Sequence, residues 1–493
     1  MIRRLEYKWI VGIVFVSGLF MELLDMTIVN VAIPTLAEEF DATTTQVQWV
    51  VTGYLLSLAV FIPVSGWLGD RFGTKKIFML ALFIFTTASF LCGMAWSIES
   101  LIGFRVLQGA GGGILTPVGT AMLFRAFPPQ ERAKAAAILM IPMVVAPASG
   151  PVVGGYLVEY WDWRWIFFVN IPVGITALIF AAMFLKEEIQ PNPGRLDIPG
   201  VILAAAGLGS LLYGLAEAGS RGVDDPTVIA FGALGLVLLA VFTLVELRTA
   251  EPMIDMRLFQ NRLFATANAV QLVAFAGLTG GLFLLPVFLQ SPATMGLGAF
   301  DSGLTTFPQA IGIVLMVQVS SRLYGRIGPR RLLVAGLVGV TVTTLAFMLV
   351  DVGTSLWWIR GIMFVRGCFF SFILICLQTA TFATISLEKM GRASAISSAD
   401  RQVGASFGVA LVATVLTSRL AANGTSLAPG ADSSATVEAF HEAFFVAAML
   451  TLVGAGMALL INDKDAAVSM NQVAAAAPPV EDREPALAAG GGR

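Results

Sequence analysis

The sequence predicts an all-α polytopic membrane protein of fourteen spans, built as two pseudo-symmetric six-helix bundles with two further helices inserted between them. Three observations predict it. First, 57% of the residues are hydrophobic and only 13% are charged, with 35 Phe, a balance that cannot give a soluble globule its polar surface. Second, apolar stretches of about 18 or more residues recur from Trp9 to Leu460, each able to cross the ~30 Å hydrocarbon core as a helix. Third, one short basic element occurs twice, 255 residues apart.

In order, the spans fall at 10–34, 47–69, 77–97, 100–124, 133–157, 165–185, 198–218, 227–246, 263–289, 302–324, 331–350, 357–384, 394–418 and 440–462. The first is too long for the apolar core of a signal peptide and ends in "AIPTLAEEF" without a small-residue cleavage pattern, so it reads as a retained helix. No stretch between spans is long enough for a separate soluble domain. The expected organisation is a six-helix bundle over 1–190, inserted helices and linker over 191–260, a second six-helix bundle over 261–462, and a disordered tail over 463–493. The outer loop "NGTSLAPGADSSATVE" is also expected to be disordered, and "RTAEPMIDMRLFQNR" to be an inner linker with a short interfacial helix.

Charge fixes the orientation. With the N-terminus inside, the inner segments hold 23 of the 30 Lys and Arg, and the outer segments hold Arg164, Arg221, Arg360 and Arg419. Both termini are therefore expected on the cytoplasmic side. Arg105, Arg366 and Arg401 fall inside spans, where a charge is costly and a function is the default expectation. The three cysteines, Cys92, Cys368 and Cys376, lie in apolar runs and imply neither a disulfide framework nor a metal site.

The repeated element is "GWLGDRFGTKK" (66–76), which aligns without gaps on "SRLYGRIGPRR" (321–331). Arg71 falls on Arg326, Gly73 on Gly328, and Lys75 and Lys76 on Arg330 and Arg331. "LIGFRVLQG" has a weaker echo in "GIMFVRGCF", from which Arg366 is expected to be the counterpart of Arg105. Two related halves are the sequence sign of a transporter built from repeats, and spans 7 and 8 have no counterpart.

The basic residues of 66–76 account for orientation, but acids contribute little to it, so Asp70 needs another explanation. At the inner end of span 2, with Gly66 and Gly73 allowing close approach, Asp70 can attract Arg71, Lys75 or the positive N-terminus of a helix in the other half. Those five residues read as a cytoplasmic gate. The second copy has Gly325 where the acid would be.

Glu22 and Asp25 are one helical turn apart on one face of the first span. Desolvation and mutual repulsion favour their neutral forms, which makes them candidate proton carriers; packing residues, or groups facing a solvated vestibule, are the alternatives. Arg105 enters its span to a depth of roughly 8 Å and Asp25 to roughly 13 Å, compatible depths for a guanidinium that stabilises the carboxylate. A structural clamp on backbone carbonyls is the competing role for Arg105. Gln108 and Asn30 are polar enough to contact substrate or to bridge helices, and Arg401 can reach a central cavity or snorkel to the inner surface. "APASGPVVGG", with Pro147, Gly150, Pro151, Gly154 and Gly155, gives the fifth span a flat face for close packing and a kink point. Roles for Arg366 and Asp400 stay open.

Several signatures together resemble the major facilitator superfamily. "GWLGDRFGTKK" is similar to its loop between the second and third helices, although that family usually carries a basic residue where Thr74 stands. "LDMTIVNVAIP", "LIGFRVLQGAGGGILTP" and "APASGPVVGG" resemble the first-, fourth- and fifth-helix signatures of its drug:proton antiporters, and "RWIFFVNIPVG" and "LDIPG" resemble segments of the fourteen-helix branch. The resemblance covers residues 10–462. It implies multidrug efflux from a bacterial cytoplasmic membrane by rocking of two halves, a proton-transfer role for Arg105, and a fifth helix that shapes the outer cavity and restricts leakage.

Other classes fit less well. Gly111–Gly113 lack a phosphate-cradle context, so ATP-driven transport is not expected; the energy source is a proton gradient, with no cofactor and no metal. The sole histidine, His441, has no nucleophile or acid set around it, which argues against a membrane enzyme. A receptor or scaffold would leave the embedded charges unexplained. The expected function is proton-coupled antiport of lipophilic or cationic compounds by a monomer, without a nucleic-acid partner; export or flipping of an endogenous lipid or lipophilic metabolite on the same scaffold is the alternative.

Overall fold

The computed structural model describes residues 6–42, 44–127, 131–189, 197–222, 224–249, 256–386, 389–467 and 470. They form helices α1 (Tyr7–Glu39), α2 (Thr44–Phe72), α3 (Thr74–Gly93), α4 (Ile98–Ala126), α5 (Arg132–Tyr160), a short α6 (Trp165–Phe168) running into α7 (Asn170–Phe184), α8 (Ile198–Arg221) and α9 (Pro226–Arg248). After a 3-10 turn at Met256–Gln260 come α10 (Arg262–Gln290), α11 (Ala299–Thr306), α12 (Pro308–Ile327), α13 (Pro329–Leu345), α14 (Leu356–Phe382), α15 (Met390–Ala422) and α16 (Ser433–Ala458).

Among the described residues, twelve helical segments are long and apolar enough to cross a membrane, fewer than the fourteen expected. The two helices of 29 residues not among them are α4, which falls short, and α5, many of whose side chains lie outside the described residues. In α4 the reason is physical: glycines 103, 109, 111, 112, 113 and 119, with Arg105 and Gln108, replace the large apolar side chains that a lipid-facing helix needs. α4 is packed against α2 and α3 and buried along most of its length, so it faces protein instead.

Polar residues set the helix starts. Ser97 and Ser100 bond each other's backbone amides at the head of α4, at 3.2 and 3.0 Å. Asp225 accepts from the amides of Thr227 and Val228 ahead of Pro226, and Asp432 caps α16 through Ser434 and Ala435. That cap starts α16 at Ser433, ahead of the apolar run expected from 440, because "SSATVEA" is polar yet helical. The tail expected to be disordered over 463–493 is ordered at 463–467, where Asp463 accepts from the Arg330 amide and Ala466 is buried, and beyond 470 it lies outside the described residues.

α1 to α7 pack on one another, as do α10 to α16; α8 and α9 pair together, and α8 leans on both α2 and α15. The halves meet along α2, α4 and α5 on one side and α11, α12, α14 and α15 on the other. At the end carrying the 66–76 loop they share one apolar core, in which Phe124 of α4 meets Phe382 of α14 with ring centroids 5.1 Å apart, beside Met390 and Ile396. At the opposite end the core is split: Ile28, Val47, Leu101 and Phe167 form one cluster, and Leu284, Ile359, Val412 and Phe440 another. The interface is thus closed by apolar packing at the basic-loop end.

Candidate functional site

The centre of the first half is a polar cluster shut inside an apolar bundle. Asp25 on α1 is fully buried and so is Arg105 on α4, whose Nη1 donates to Asp25 Oδ2 at 2.5 Å. The other carboxylate oxygen, Oδ1, accepts from Gln108 Nε2 and from Asn170 Nδ2 of α7, both at 2.9 Å. Ser89 of α3 accepts from the same two amides at 3.2 and 3.0 Å and donates to the Phe167 carbonyl at 3.1 Å. Arg105 is further fixed by Nε donating to the Val50 carbonyl of α2 at 3.0 Å, by Gln108 Oε1 at 2.7 Å, and by the Tyr54 ring 4.2 Å from its Cζ. Four helices plus α7 therefore converge on one carboxylate. Small residues of α4 make this possible, since a Cβ at Gly109 or Gly113 would run into the backbone of Tyr54 or Leu58 on α2.

A buried ion pair offsets its desolvation only when the remaining hydrogen-bonding capacity is satisfied, and here it largely is. The pair expected from the depths of Asp25 and Arg105 is formed. Gln108 is a bridge inside the cluster in this conformation, with no exposed surface for a substrate. Asn170, Ser89 and Tyr54 were not singled out from the sequence. Asn170 carried one signal, an amide within the otherwise apolar "RWIFFVNIPVG".

Glu22, one turn from Asp25, is 4% exposed and accepts from Thr116 Oγ1 of α4 at 2.6 Å. Thr116 also lines a small crevice between the halves, together with Thr120, Met143, Gln378, Ser397 and Arg401. Arg401 is close enough to act electrostatically on both Glu22 and Asp400, so the second half brings a cation towards an acid of the first. Asp400 itself accepts from Gln271 Nε2 at 3.3 Å. Ser394 Oγ, on the same face of α15, donates to the Pro117 carbonyl across the interface at 3.2 Å.

Asp70 corrects the sequence expectation in its partner. It is buried and accepts from Arg125 Nη2 of α4 at 2.7 Å, not from Arg71 or Lys75. Arg71 sits at the last turn of α2 on the exposed face, and Lys75 has turned away, its Nζ donating to the Ala182 carbonyl at 2.8 Å. The expected approach of a helix N-terminus from the other half is present: a Cβ at Gly391, in the first turn of α15, would be 3.5 Å from either Asp70 oxygen. Gly66 lies closer still, since a Cβ there would stand 3.1 Å from the Gly391 carbonyl oxygen. Gly73, at φ +100°, makes the turn into α3 that an L side chain rarely adopts.

Each basic loop carries a second acid that the alignment of 66–76 with 321–331 does not contain. Glu187, just past α7, accepts from the Lys75 amide at 3.1 Å, and Asp463, just past α16, accepts from the Arg330 amide at 3.0 Å. Both carboxylates also fill the space in front of the positive-φ glycine, Gly73 or Gly328.

On α5, Gly150 and Gly154 seat that helix against Thr27 and Ile28 of α1, and Gly155 faces Phe300 of α11 in the other half. This is the close packing expected from "APASGPVVGG". Pro147 is half-buried. The side chains of Pro151 and Asn30 lie outside the described residues. Arg366 of α14, expected to be the counterpart of Arg105, instead falls where Gln108 stands in the first half, since Gly367 approaches the Gln309 carbonyl as Gly109 approaches the Tyr54 carbonyl; it is buried and donates from Nη2 to the Leu278 carbonyl of α10 at 3.2 Å. Its Nε and Nη1 have no hydrogen-bond partner among the described residues, and glycine, Gly281, stands against its guanidinium. His441 is bonded at Nε2 to the Val350 carbonyl, 2.9 Å away. Among the described residues there is no group of three or more His, Cys, Asp or Glu able to hold a metal.

Comparison with known proteins places this geometry. Residues 15–409 match the model of the Major Facilitator Superfamily. The chain is 35% identical over 407 residues to the MFS-type transporter YhcA of Bacillus subtilis, covering 83% of this chain and 76% of that one. It is 37% identical over 397 residues to the multidrug resistance protein B homolog of Mycobacterium tuberculosis, covering 80% and 73%. Against the putative multidrug resistance protein MdtD of Pectobacterium atrosepticum it is 32% identical over 418 residues, covering 83% and 86%. The crystal structure of the human organic anion transporter MFSD10 superposes with a TM-score of 0.65 over 92% of this chain and 99% of that one, at 15% identity, a likeness of fold alone. With most of its length matched by the family model and by relatives above 30% identity, this multi-pass membrane protein belongs to the Major Facilitator Superfamily of transporters.

Proposed function

We propose that the protein is a proton-coupled antiporter that exports lipophilic or cationic compounds by alternating access, using a proton gradient and no cofactor. The observation that carries the reading is the buried Asp25 carboxylate held by Arg105, Gln108 and Asn170, with Glu22 on the same helix face. An ionisable group at membrane depth that can be neutralised moves a charge when it takes or loses a proton. The multidrug-resistance names of the relatives support the substrate class. Protonated Asp25 releases Arg105; deprotonated, it re-forms the pair, and a cationic substrate competes with protons for the same acids.

The proposal extends to topology. α4 and α5 have the length of spans, and counting them gives fourteen, with both termini in the cytoplasm of a bacterial cell and residues 1–190 and 261–462 rocking about the inserted α8 and α9. The chain works as a monomer. The basic-loop end then faces the cytoplasm, and Gly66, Asp70 and Gly391 close that side.

In proteoliposomes containing this protein alone, an imposed pH gradient drives movement of a fluorescent lipophilic cation, and Asp25→Asn reduces that movement to the level of protein-free vesicles. Gradient-driven transport that survives Asp25→Asn removes Asp25 from the mechanism. Movement of a labelled lipid with an indifferent cation replaces the drug reading by lipid export.

A further inference from the structure

Tyr54 of α2 lies where the surroundings of the two acids meet. Its ring is stacked on the Arg105 guanidinium at 4.2 Å, beside the ion pair with Asp25. Its hydroxyl, at the other end of the ring, is buried and has no hydrogen-bond partner among the described residues. That oxygen faces Gly112 of α4, where an added Cβ would stand 3.1 Å from Tyr54 Oη and 3.6 Å from Glu22 Cγ. The hydroxyl and the Glu22 side chain thus flank one small gap, kept open by the missing side chain of Gly112. Both carboxyls act electrostatically on the phenol. Folded proteins avoid leaving a buried hydroxyl unbonded, so one held open between two acids calls for an explanation.

We propose that the Tyr54 hydroxyl relays protons between Asp25 and Glu22, an inference that rests on the antiport reading. When Asp25 has taken a proton, it lets go of Arg105 and passes that proton to Tyr54 Oη as the phenol passes its own to the Glu22 carboxylate. One O–H bond forms on the phenol and one breaks, so the phenol stays neutral. The negative charge moves from Glu22 to Asp25, where Arg105 receives it. The hydroxyl then rotates back. In the present conformation the relay is disengaged: Asp25 is held by Arg105, Gln108 and Asn170, and Glu22 by Thr116. The other groups facing this space are Cys92 of α3, whose thiol donates to Gln108 Oε1 at 3.7 Å, and Arg401 of α15, which acts on Glu22.

Tyr54→Phe tests the relay, because it keeps the ring and its stacking on Arg105 and removes only an oxygen that has no hydrogen-bond partner among the described residues. Pure protein in liposomes is assayed with tetraphenylphosphonium for transport driven by a pH gradient, for its dependence on pH, and for exchange of labelled against unlabelled cation without a gradient. The relay predicts that gradient-driven transport falls by on the order of 100-fold, the scale of a lost proton-transfer group, while exchange and thermal stability stay at wild-type levels. Gly112→Ala, which crowds the same gap, slows gradient-driven transport in the same direction. Wild-type gradient-driven transport and an unchanged pH profile in Tyr54→Phe overturn the relay, and so does an equal loss of exchange, which marks a merely structural hydroxyl. Asp25→Asn run alongside separates the two levels: if it too remains proton-driven, the antiport reading fails; if it uncouples while Tyr54→Phe does not, only the relay fails.

Discussion

At the scale of single residues, the proposed chemistry centres on a carboxylate, Asp25, that is fully buried. Removing one member of a buried pair leaves the other charge uncompensated, at a cost of about 3–5 kcal/mol, whereas removing both with apolar residues of similar volume is close to neutral. Arg105→Leu is therefore expected to lower the thermal stability of the detergent-solubilised protein far more than Arg105→Leu combined with Asp25→Leu, with unfolding followed by tryptophan fluorescence. Equal losses in the two variants would show that Arg105 stabilises through its Val50 and Tyr54 contacts alone. Asp25, Glu22 and Arg105 were legible in the sequence because a charge inside an apolar run is conspicuous. Asn170, Ser89 and Tyr54 were not, because single small polar residues or aromatics are common in membrane helices. Their role comes from meeting Asp25, its arginine or the amides that hold it from 29 to 145 positions away in the chain, which no local pattern records. The partner of Asp70 was missed for the same reason: Arg125 is 55 positions away, while Arg71 and Lys75 are neighbours in sequence that helix geometry turns elsewhere.

At the scale of helices, contact between the halves depends on places where backbones approach without side chains. Gly66 against Gly391 is the clearest, because the nearest atoms are backbone and cannot rotate away. Gly66→Leu is expected to force α2 and α15 apart at the basic-loop end. A single cysteine at Ser394, buried in the present packing, then reacts faster with a maleimide than it does with Gly66 in place. Unchanged labelling would mean that the apolar core around Phe124 and Phe382 holds this end shut by itself. The helices themselves were read well from hydropathy, each apolar run overlapping an observed element, although the runs at 77–97, 357–384 and 440–462 overshoot the C-terminal ends of α3, α14 and α16. Their ends were read less well, because capping residues such as Asp432 extend a helix past the apolar run into polar sequence. α4 shows the converse, a long helix whose glycines serve packing and dilute the very hydropathy by which spans are recognised.

At the scale of the whole molecule, the duplicated frame and the unduplicated chemistry separate cleanly. The alignment of 66–76 with 321–331 pairs two loops that each bind a carboxylate at the same backbone amide, Lys75 and Arg330, whereas of the two arginines expected to correspond Arg105 meets an acid and Arg366 faces Leu278 and Gly281. Fourteen spans predict that single cysteines placed at Trp96, Trp161 and Trp357, all exposed near helix ends opposite the basic loops, label from the outside of intact cells, while one at Phe72 does not. Outside labelling at Phe72 would invert or break the proposed topology.

The paired carboxylates Glu187 and Asp463 bear on mechanics. Each follows the last helix of its half and is fastened to the first turn of the third, so those two helices are tied at the basic-loop end in both halves. A pair of helices tied at one end resists sliding along its contact. In the proposed rocking motion, a push on one basic loop is therefore shared at once between the third and the last helix of its half.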